Sequence, residues 1–415
     1  MITNVINIFR LNKFLSTILI FIISLGIYFC FINKYGWDWD TYTIIETYLN
    51  ILEDGKYLRS RGAGYIVPEI GIGFLSYYLG SFAANLTTFL FLIIGLIFLY
   101  KSFAKILKNN LSFEHKTENE KLIIFLLICL TNHVVFRDST IPIDFSWSFV
   151  FYSLGFYFIT KKKIELSVIF FSLCFGSRFN YIVFILPTIL FMNKVFIDNK
   201  KKLLISFIVV TYGGLFYLPS WLQNSFSLDF IFSSGWYNAN KVDGVFTLIE
   251  TARFIYKAVL ALGIFFMIIA GIALFYNKNN ILKIFKHFKI PIILIFINLI
   301  LFFYFPWEPS YLWILIFSLN FIFVLIFSKK ILYILILINI FNFFFQFNII
   351  KVNYLNNGCY RSPINASFNL HFDKGILLNI SDREEHTKCY PDIIGKDLKI
   401  LKYKLQLSAG KKLSN

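Results

Sequence analysis

Long runs of Ile, Leu and Phe, interrupted by small clusters of lysine or by brief polar islands, set the pattern of this chain. An α-helix needs about 20 apolar residues to cross a hydrocarbon core of ~30 Å. The first such run, Phe14–Phe31, follows Arg10 and Lys13 and lacks a small-residue cleavage site. It reads as an uncleaved signal anchor with its N-terminus in the cytoplasm. Further crossings are predicted from Gly71 or Ser81 to Tyr100, then at Leu122–Phe136, Phe145–Thr160, Leu203–Leu222, Phe254–Tyr276, Pro291–Phe305, Leu312–Phe327 and Ile331–Ile350. The run Ile164–Met192 is flanked by lysines at both ends and interrupted by Gly176-Ser177-Arg178. Two short segments meeting at Arg178 keep both lysine clusters on one side, so a hairpin is expected there. The pattern therefore predicts an all-α polytopic membrane protein of about 11 transmembrane helices.

The lysine clusters between spans (Lys101–Lys108, Lys161–Lys163, Lys200–Lys202, Lys278–Lys289, Lys329-Lys330) fall on one side of this topology. The polar islands Asp38–Glu69, Arg137–Asp144, Arg178 and Glu308 fall on the other. By the positive-inside rule the lysine side is cytoplasmic and the islands face out. Within the first island, Tyr42–Leu58 carries Ile44, Ile45, Tyr48, Leu49 and Leu52 at helical spacing, with Glu46, Glu53, Asp54 and Lys56 interleaved. That pattern predicts an amphipathic helix on the outer face, closed by a turn at Asp54-Gly55. Residues 1–350 form the transmembrane domain in this reading. Residues 351–415 form a small extracytoplasmic tail, with strand content expected at Gly375–Ile380.

Composition narrows the class. The 415 residues are 58% hydrophobic and 20% aromatic, only 15% are charged, and the mean hydropathy is +0.68. A soluble domain has no means of hiding that much apolar surface, whereas a bilayer solvates it. The formal net charge of +17 would point to nucleic acid in a soluble protein. Here the lysines sit at span ends and no nucleic-acid-binding motif accompanies them, so a solvated cytoplasmic rim accounts for the charge. Cys30, Cys129 and Cys174 lie in apolar runs and read as small buried hydrophobes. Cys359 and Cys389 stand in the tail, available to pair in an oxidising compartment. No cysteine or histidine pair has zinc-site spacing.

The chemistry concentrates in the first island, Tyr35-Gly-Trp-Asp38-Trp-Asp40-Thr-Tyr42 followed by Tyr57-Leu-Arg59-Ser-Arg61-Gly-Ala-Gly64-Tyr65-Ile-Val-Pro68-Glu69. Ionisable groups beside lipid are costly and mark function by default. Asp38 and Asp40 either bind a divalent cation, deprotonate an acceptor hydroxyl, or simply cap a helix end. Arg59 and Arg61 suit a phosphate or diphosphate, which a guanidinium grips with two parallel hydrogen bonds, or else pair with Glu53, Asp54 or Glu69. Glu69 also reads as a charge at a helix N-terminus. Asp138 stands beside Arg137, a ready structural ion pair. His133 reads as a core residue, and Asn132 and Tyr311 as sugar contacts.

The order of these pieces resembles the GT-C superfamily of integral-membrane glycosyltransferases, which use polyprenyl-phosphate sugars. The matching pieces are Trp37-Asp38-Trp39-Asp40-Thr41-Tyr42 past the first span, Glu53-Asp54-Gly55-Lys56-Tyr57, and the Gly64-Tyr65-Ile66-Val67-Pro68 turn into the second span. They continue with Asp138 or Asp144, the stretch Gly176-Ser-Arg178-Phe-Asn180 before Leu186-Pro187, and Pro-Trp-Glu308-Pro-Ser-Tyr311. Trp39 separates two acids that are often adjacent in that family, and the family's late proline is absent after Tyr311.

The resemblance implies transfer of a hexose or pentose, with inversion, from a polyprenyl-phosphate donor to an envelope glycan, lipid or protein acceptor. It places the active site on the extracytoplasmic face of a bacterial inner membrane. Asp40, with Asp38 as the alternative, matches the catalytic aspartate. Arg59, Arg61, Glu69, Asp138, Arg178, Glu308 and Tyr311 would bind substrate. Mg²⁺ or Mn²⁺, if used, would sit on Asp38, Asp40 and Asp138. Among other classes, a polysaccharide polymerase would carry arginine-rich outer loops, yet Gln223–Arg253 holds only Lys241 and Arg253 as basic residues. A transporter would place charge at mid-membrane depth with access from both sides.

Overall fold

The computed structural model describes residues 13–36, 39–60, 64–108, 118–223, 248–278, 289–304, 308–357 and 360–378. Asp38, Arg61, Cys359, Cys389, most of the loop after Gln223 and the tail beyond residue 378 lie outside the described residues.

The chain is mostly helical. Helix α1, Lys13–Ile32, is the expected first span, and α2, Trp39–Asp54, is the expected amphipathic helix. Gly55, at φ 63°, turns the chain after α2. Ile44, Ile45, Tyr48 and Leu49 are buried as the spacing requires, and so are Thr47 and Asn50. The helix is therefore set into the fold by more than one apolar stripe.

Helix α3, Ile66–Lys108, has 43 residues. At 1.5 Å per residue it runs about 65 Å, twice the hydrocarbon thickness. Gly80 resolves this length: its backbone (φ 82°, ψ 179°) breaks the helix into two arms, residues 66–79 and 81–108. Asn85, just past the break, donates to the Cys30 and Lys34 carbonyls (2.9 and 2.5 Å), fixing the end of α1 against α3.

The next helices are α4 (Glu118–Leu130), α5 (His133–Ser139), α6 (Phe145–Thr160) and α7 (Ile164–Ser177). After a 3-10 turn at Phe179–Tyr181 come α8 (Ile182–Leu190), α9 (Asn199–Leu215) and α10 (Leu218–Gln223). Then follow α11 (Leu248–Leu262), α12 (Ile264–Tyr276) and α13 (Lys289–Tyr304). A second 3-10 turn, Pro309–Leu312, leads into α14 (Trp313–Ile326) and α15 (Lys329–Phe344).

The core is a row of helices, α3 on α6, α6 on α7 and α7 on α9, with α1, α4 and α14 against the same apolar cluster. At each contact in the row a glycine faces a phenylalanine ring: Gly95 meets Phe149, Gly155 meets Phe171 and Gly213 meets Phe175. Small residues at such crossings let helix backbones approach closely. A Cβ at Gly95 would stand 2.7 Å from the Phe149 ring and 3.3 Å from the Val150 backbone, whereas one at Gly271 would meet nothing within 4 Å. Gly95→Ala is therefore expected to cost about 1–3 kcal/mol of stability by overpacking. Gly271→Ala, inside α12 with open space around the new methyl, should leave the thermal unfolding midpoint in detergent unchanged or slightly raised. Equal midpoints for the two variants would refute this packing.

Among the described residues three helices are long and apolar enough to cross a membrane: α1, α3 and Pro309–Ile326. The number rises to five if each of two bent pairs counts as one span. Large apolar side chains such as Phe207 and Phe275 point outward, as lipid-facing residues do. The chain is thus an integral membrane protein by length and composition of its helices.

Both bent pairs correct an expectation of straight spans. Leu122–Phe136 breaks between α4 and α5 with a bend of 79°, and Phe254–Tyr276 breaks at Gly263 with a bend of 80°. Asn132 causes the first break by capping α5, its side chain accepting from the Val135 N–H at 3.1 Å. Gly263, at φ 77°, takes a left-handed conformation that side chains rarely adopt and causes the second. The breaks meet: the Asn132 side-chain amide donates to the Ala261 carbonyl at 2.7 Å. Asn132 is thus a structural residue here rather than an evident sugar contact.

The last apolar run also departs from expectation. It is helical only to Phe344; strand β1, Phe345–Asn357, then pairs antiparallel with β2, Tyr360–Lys374. The strand expected at Gly375–Ile380 is a turn as far as Leu378. Gly375 and Leu377 donate their N–H groups to the Phe344 and Phe343 carbonyls (2.6 and 2.9 Å), closing the helix end instead of joining a ladder.

Candidate functional site

The polar islands come together at the end of the bundle where α3 begins. The turn between α2 and α3 is held from both sides. Thr47 of α2 donates to the Leu58 carbonyl at 2.7 Å. On the other side, Glu69 in the first turn of α3 is fully buried (0% exposed) and accepts three hydrogen bonds. They come from the Tyr57 hydroxyl (2.6 Å), the Ser60 N–H (3.0 Å) and the Ser60 hydroxyl. A carboxylate at this position also gains from the helix dipole. Burial and the neighbouring carboxylate push the Tyr57 phenol well above its ordinary range, so it keeps the proton it donates. Gly64, at φ 79°, brings the returning backbone over Tyr57, Ser220 of α10 and Arg59.

Next to this turn lies a buried ion pair. Helix α7 stops where Arg178 adopts an extended backbone (φ −153°, ψ 120°), as expected from the Gly-Ser-Arg interruption. The Arg178 side chain is 1% exposed, and its Nε lies 3.3 Å from Oδ2 of the fully buried Asp144, at the start of α6. Its guanidinium stands over the rings of Phe145 (3.8 Å), Tyr311 (5.0 Å) and Tyr65 (5.7 Å). Aromatic faces stabilise a desolvated cation, most strongly where water is excluded. Arg178 thus forms the centre of an aromatic cage beneath the Tyr65 turn, and is not an open phosphate fork.

A third cluster positions the late turn. Asp138 is buried; its Oδ1 accepts from Arg137 Nε at 2.5 Å and its Oδ2 from the Ser310 hydroxyl. Asn298 of α13 donates to the Tyr311 carbonyl (2.7 Å) and accepts from the Leu315 N–H (2.8 Å). Together they pin the 3-10 turn that follows the half-buried Glu308. Removing such a buried amide leaves a donor and an acceptor unsatisfied, at about 1–3 kcal/mol. Asn298→Leu should accordingly melt earlier in a detergent thermal scan, and an unshifted melt would show that the turn is held by other contacts.

Asp40 stands in the first turn of α2, half-buried, seven residues and so about 10 Å before Thr47 along the helix. Its backbone carbonyl accepts from the Thr43 hydroxyl at 2.9 Å. Arg59 is half-buried in the turn beside Tyr57. His133 is buried, and its Nε2 has no hydrogen-bond partner among the described residues.

Of the three acids expected to hold a metal ion, Asp38 lies outside the described residues and Asp40 and Asp138 lie within them. Both oxygens of Asp138 are engaged, and no group of three His, Cys, Asp or Glu converges among the described residues. Asp144, Tyr57, Ser60 and Ser220 are the participants that sequence reading either ranked second or passed over. The first was visible as an acid in a matched loop. The others are ordinary polar residues with no signal in a single sequence.

Comparison of the sequence and the fold with known families, characterised proteins and solved structures gives no match.

Proposed function

We propose that this chain is a membrane glycosyltransferase that moves a sugar from a polyprenyl-phosphate donor to an envelope glycan, lipid or protein acceptor, with inversion. The observation that carries this reading is the meeting of four polar segments, residues 57–60 with 64–69, 137–145, 178–181 and 308–312, at one end of an otherwise apolar bundle. Burying charged groups there is costly, and ionisable residues gathered at such a place mark a functional site by default. The shorter apolar helices Phe145–Thr160, Ile164–Ser177, Phe179–Leu190 and Lys289–Tyr304, taken as crossings, bring the span count toward eleven. In that topology the cluster faces out, with the tail after residue 350 on the same side.

The chemistry follows from the groups available. The Asp40 carboxylate takes the proton of an acceptor hydroxyl, whose oxygen forms a bond to the anomeric carbon as the bond to the donor phosphate breaks. Arg59, with Arg61 two residues on in sequence, neutralises the departing polyprenyl phosphate. Tyr311 and the Arg178–Asp144 cage form the floor, and Glu308 offers hydrogen bonds to sugar hydroxyls. No step here runs through a metal ion.

The test is direct. Purified protein in lipid vesicles is given a panel of polyprenyl-phosphate sugars, and released polyprenyl phosphate is measured alongside surface glycans and lipid-linked intermediates in cells with and without the protein. Release that depends on the protein supports the reading. Unchanged glycans together with no release from any donor, or a reporter placing residues 39–69 in the cytoplasm, would sink it.

A further inference from the structure

We infer that Glu69 is a positioning residue: its buried carboxylate is the latch that holds the Arg59 turn in place, and it does not touch substrate. What the turn does for the reaction rests on the glycosyltransferase reading; the latch itself does not.

Three donors converge on this one side chain from two residues of the turn, Tyr57 Oη, Ser60 N and Ser60 Oγ. Glu69 is fully buried, so no oxygen is left facing solvent for a sugar or phosphate. Arg59 lies between the two residues that are gripped, so its backbone is fixed on both sides. The anchor is rigid because Glu69 belongs to α3 and its own N–H donates to the Tyr65 carbonyl at 3.0 Å. Ser220 and the close approach of Gly64 cover the cluster from the far side.

The chemistry demands a carboxylate. An ionised Glu is an acceptor only, whereas Gln offers one acceptor oxygen and an NH₂ group that would face donors. Asp is one methylene too short to reach the same three groups. A lysine partner would satisfy Glu69 mainly as a point charge, whereas hydroxyl and amide donors impose direction as well. Positioning the turn, rather than merely neutralising a charge, is what this geometry achieves.

Two variants test it in the full-length protein. Glu69→Gln keeps the volume and Tyr57→Phe removes a single donor while keeping the ring, so at least one should fold. Trypsin acts at Lys56, Arg59 and Arg61, and cleavage in this stretch should speed several-fold in both variants relative to wild type. Cleavage at the wild-type rate in both would overturn the latch. In the transfer assay kcat/KM should fall about tenfold in both variants, the size of one lost hydrogen bond to a charged group, because the Arg59 turn meets the donor phosphate both bound and departing. A loss of a hundredfold or more in Glu69→Gln with Tyr57→Phe at the wild-type level would instead place Glu69 on the reacting atoms and overturn the positioning role. Absence of transfer in wild type would count against the glycosyltransferase reading alone, because the cleavage rates still decide the latch.

Discussion

Replacing Arg178 with methionine should cost the protein much of its folded yield, and replacing Asp144 at the same time should recover it. The two groups are buried to 1% and 0% exposure, with Nε to Oδ2 at 3.3 Å. Removing one partner leaves the other charge desolvated, at about 3–5 kcal/mol, while removing both relieves that penalty. Against a total stability of about 5–15 kcal/mol the single change is severe. Arg178→Met would also strip the cation from the rings of Phe145, Tyr65 and Tyr311, and so loosen the floor of the cluster. The measurement is monodisperse yield and melting temperature in detergent for Arg178→Met, Asp144→Leu and the double variant. A single variant as stable as wild type would show that the pair contributes little, as would a double variant no better than either single.

That pairing shows where sequence reading stops. Arg178 was legible as a helix break because Gly176 and Ser177 precede it, and helix α2 was legible from Ile44, Ile45, Tyr48 and Leu49 at helical spacing. In the sequence Asp138 takes precedence over Asp144. The fold separates them: one joins Arg178 and the other joins Ser310, 172 residues away. Such contacts are set by how helices pack, and local periodicity carries no record of them.

The two helix bends had local signals, since Asn132 is a good N-cap and Gly263 stands within an apolar run. Hydropathy alone passes over both, because a bent and a straight helix bury the same kinds of residue. The hairpin was written more plainly. Phe368, Leu370 and Phe372 alternate with Asn369, His371 and Asp373, the period of a strand. Its first strand hides inside an apolar run that reads equally well as the end of a membrane helix.

Glu69 marks the same boundary in functional terms. The resemblance counts Glu69 among the residues that bind substrate, yet three acceptor bonds engage both of its oxygens within the protein. Asp138 follows the same logic. With these two and the Arg178–Asp144 pair engaged within the protein, Asp40, the base proposed above, stands half-buried in the first turn of α2, and Glu308 half-buried at the head of the late turn.

Asp40→Asn should therefore abolish sugar transfer while leaving the protein abundant and folded. Asp40 sits in the first turn of α2, only half-buried, so the exchange of a carboxylate for an amide of equal size disturbs no core packing. Loss of a favourable charge at a helix N-terminus costs about 0.3–1 kcal/mol, too little to unfold the protein. Loss of a general base costs about 10²–10⁴ in rate, because an amide does not accept the acceptor's proton at neutral pH. The two effects differ enough to be read separately: kcat falls, while melting temperature and membrane level stay near wild type. The control is Asp54→Asn at the other end of the same helix, where the side chain is exposed and has no part in the proposed chemistry. Wild-type turnover in Asp40→Asn would remove Asp40 from the mechanism. The base would then have to be sought elsewhere in the cluster, beginning with Glu308, which is likewise half-buried and stands at the head of the turn pinned by Asp138 and Asn298.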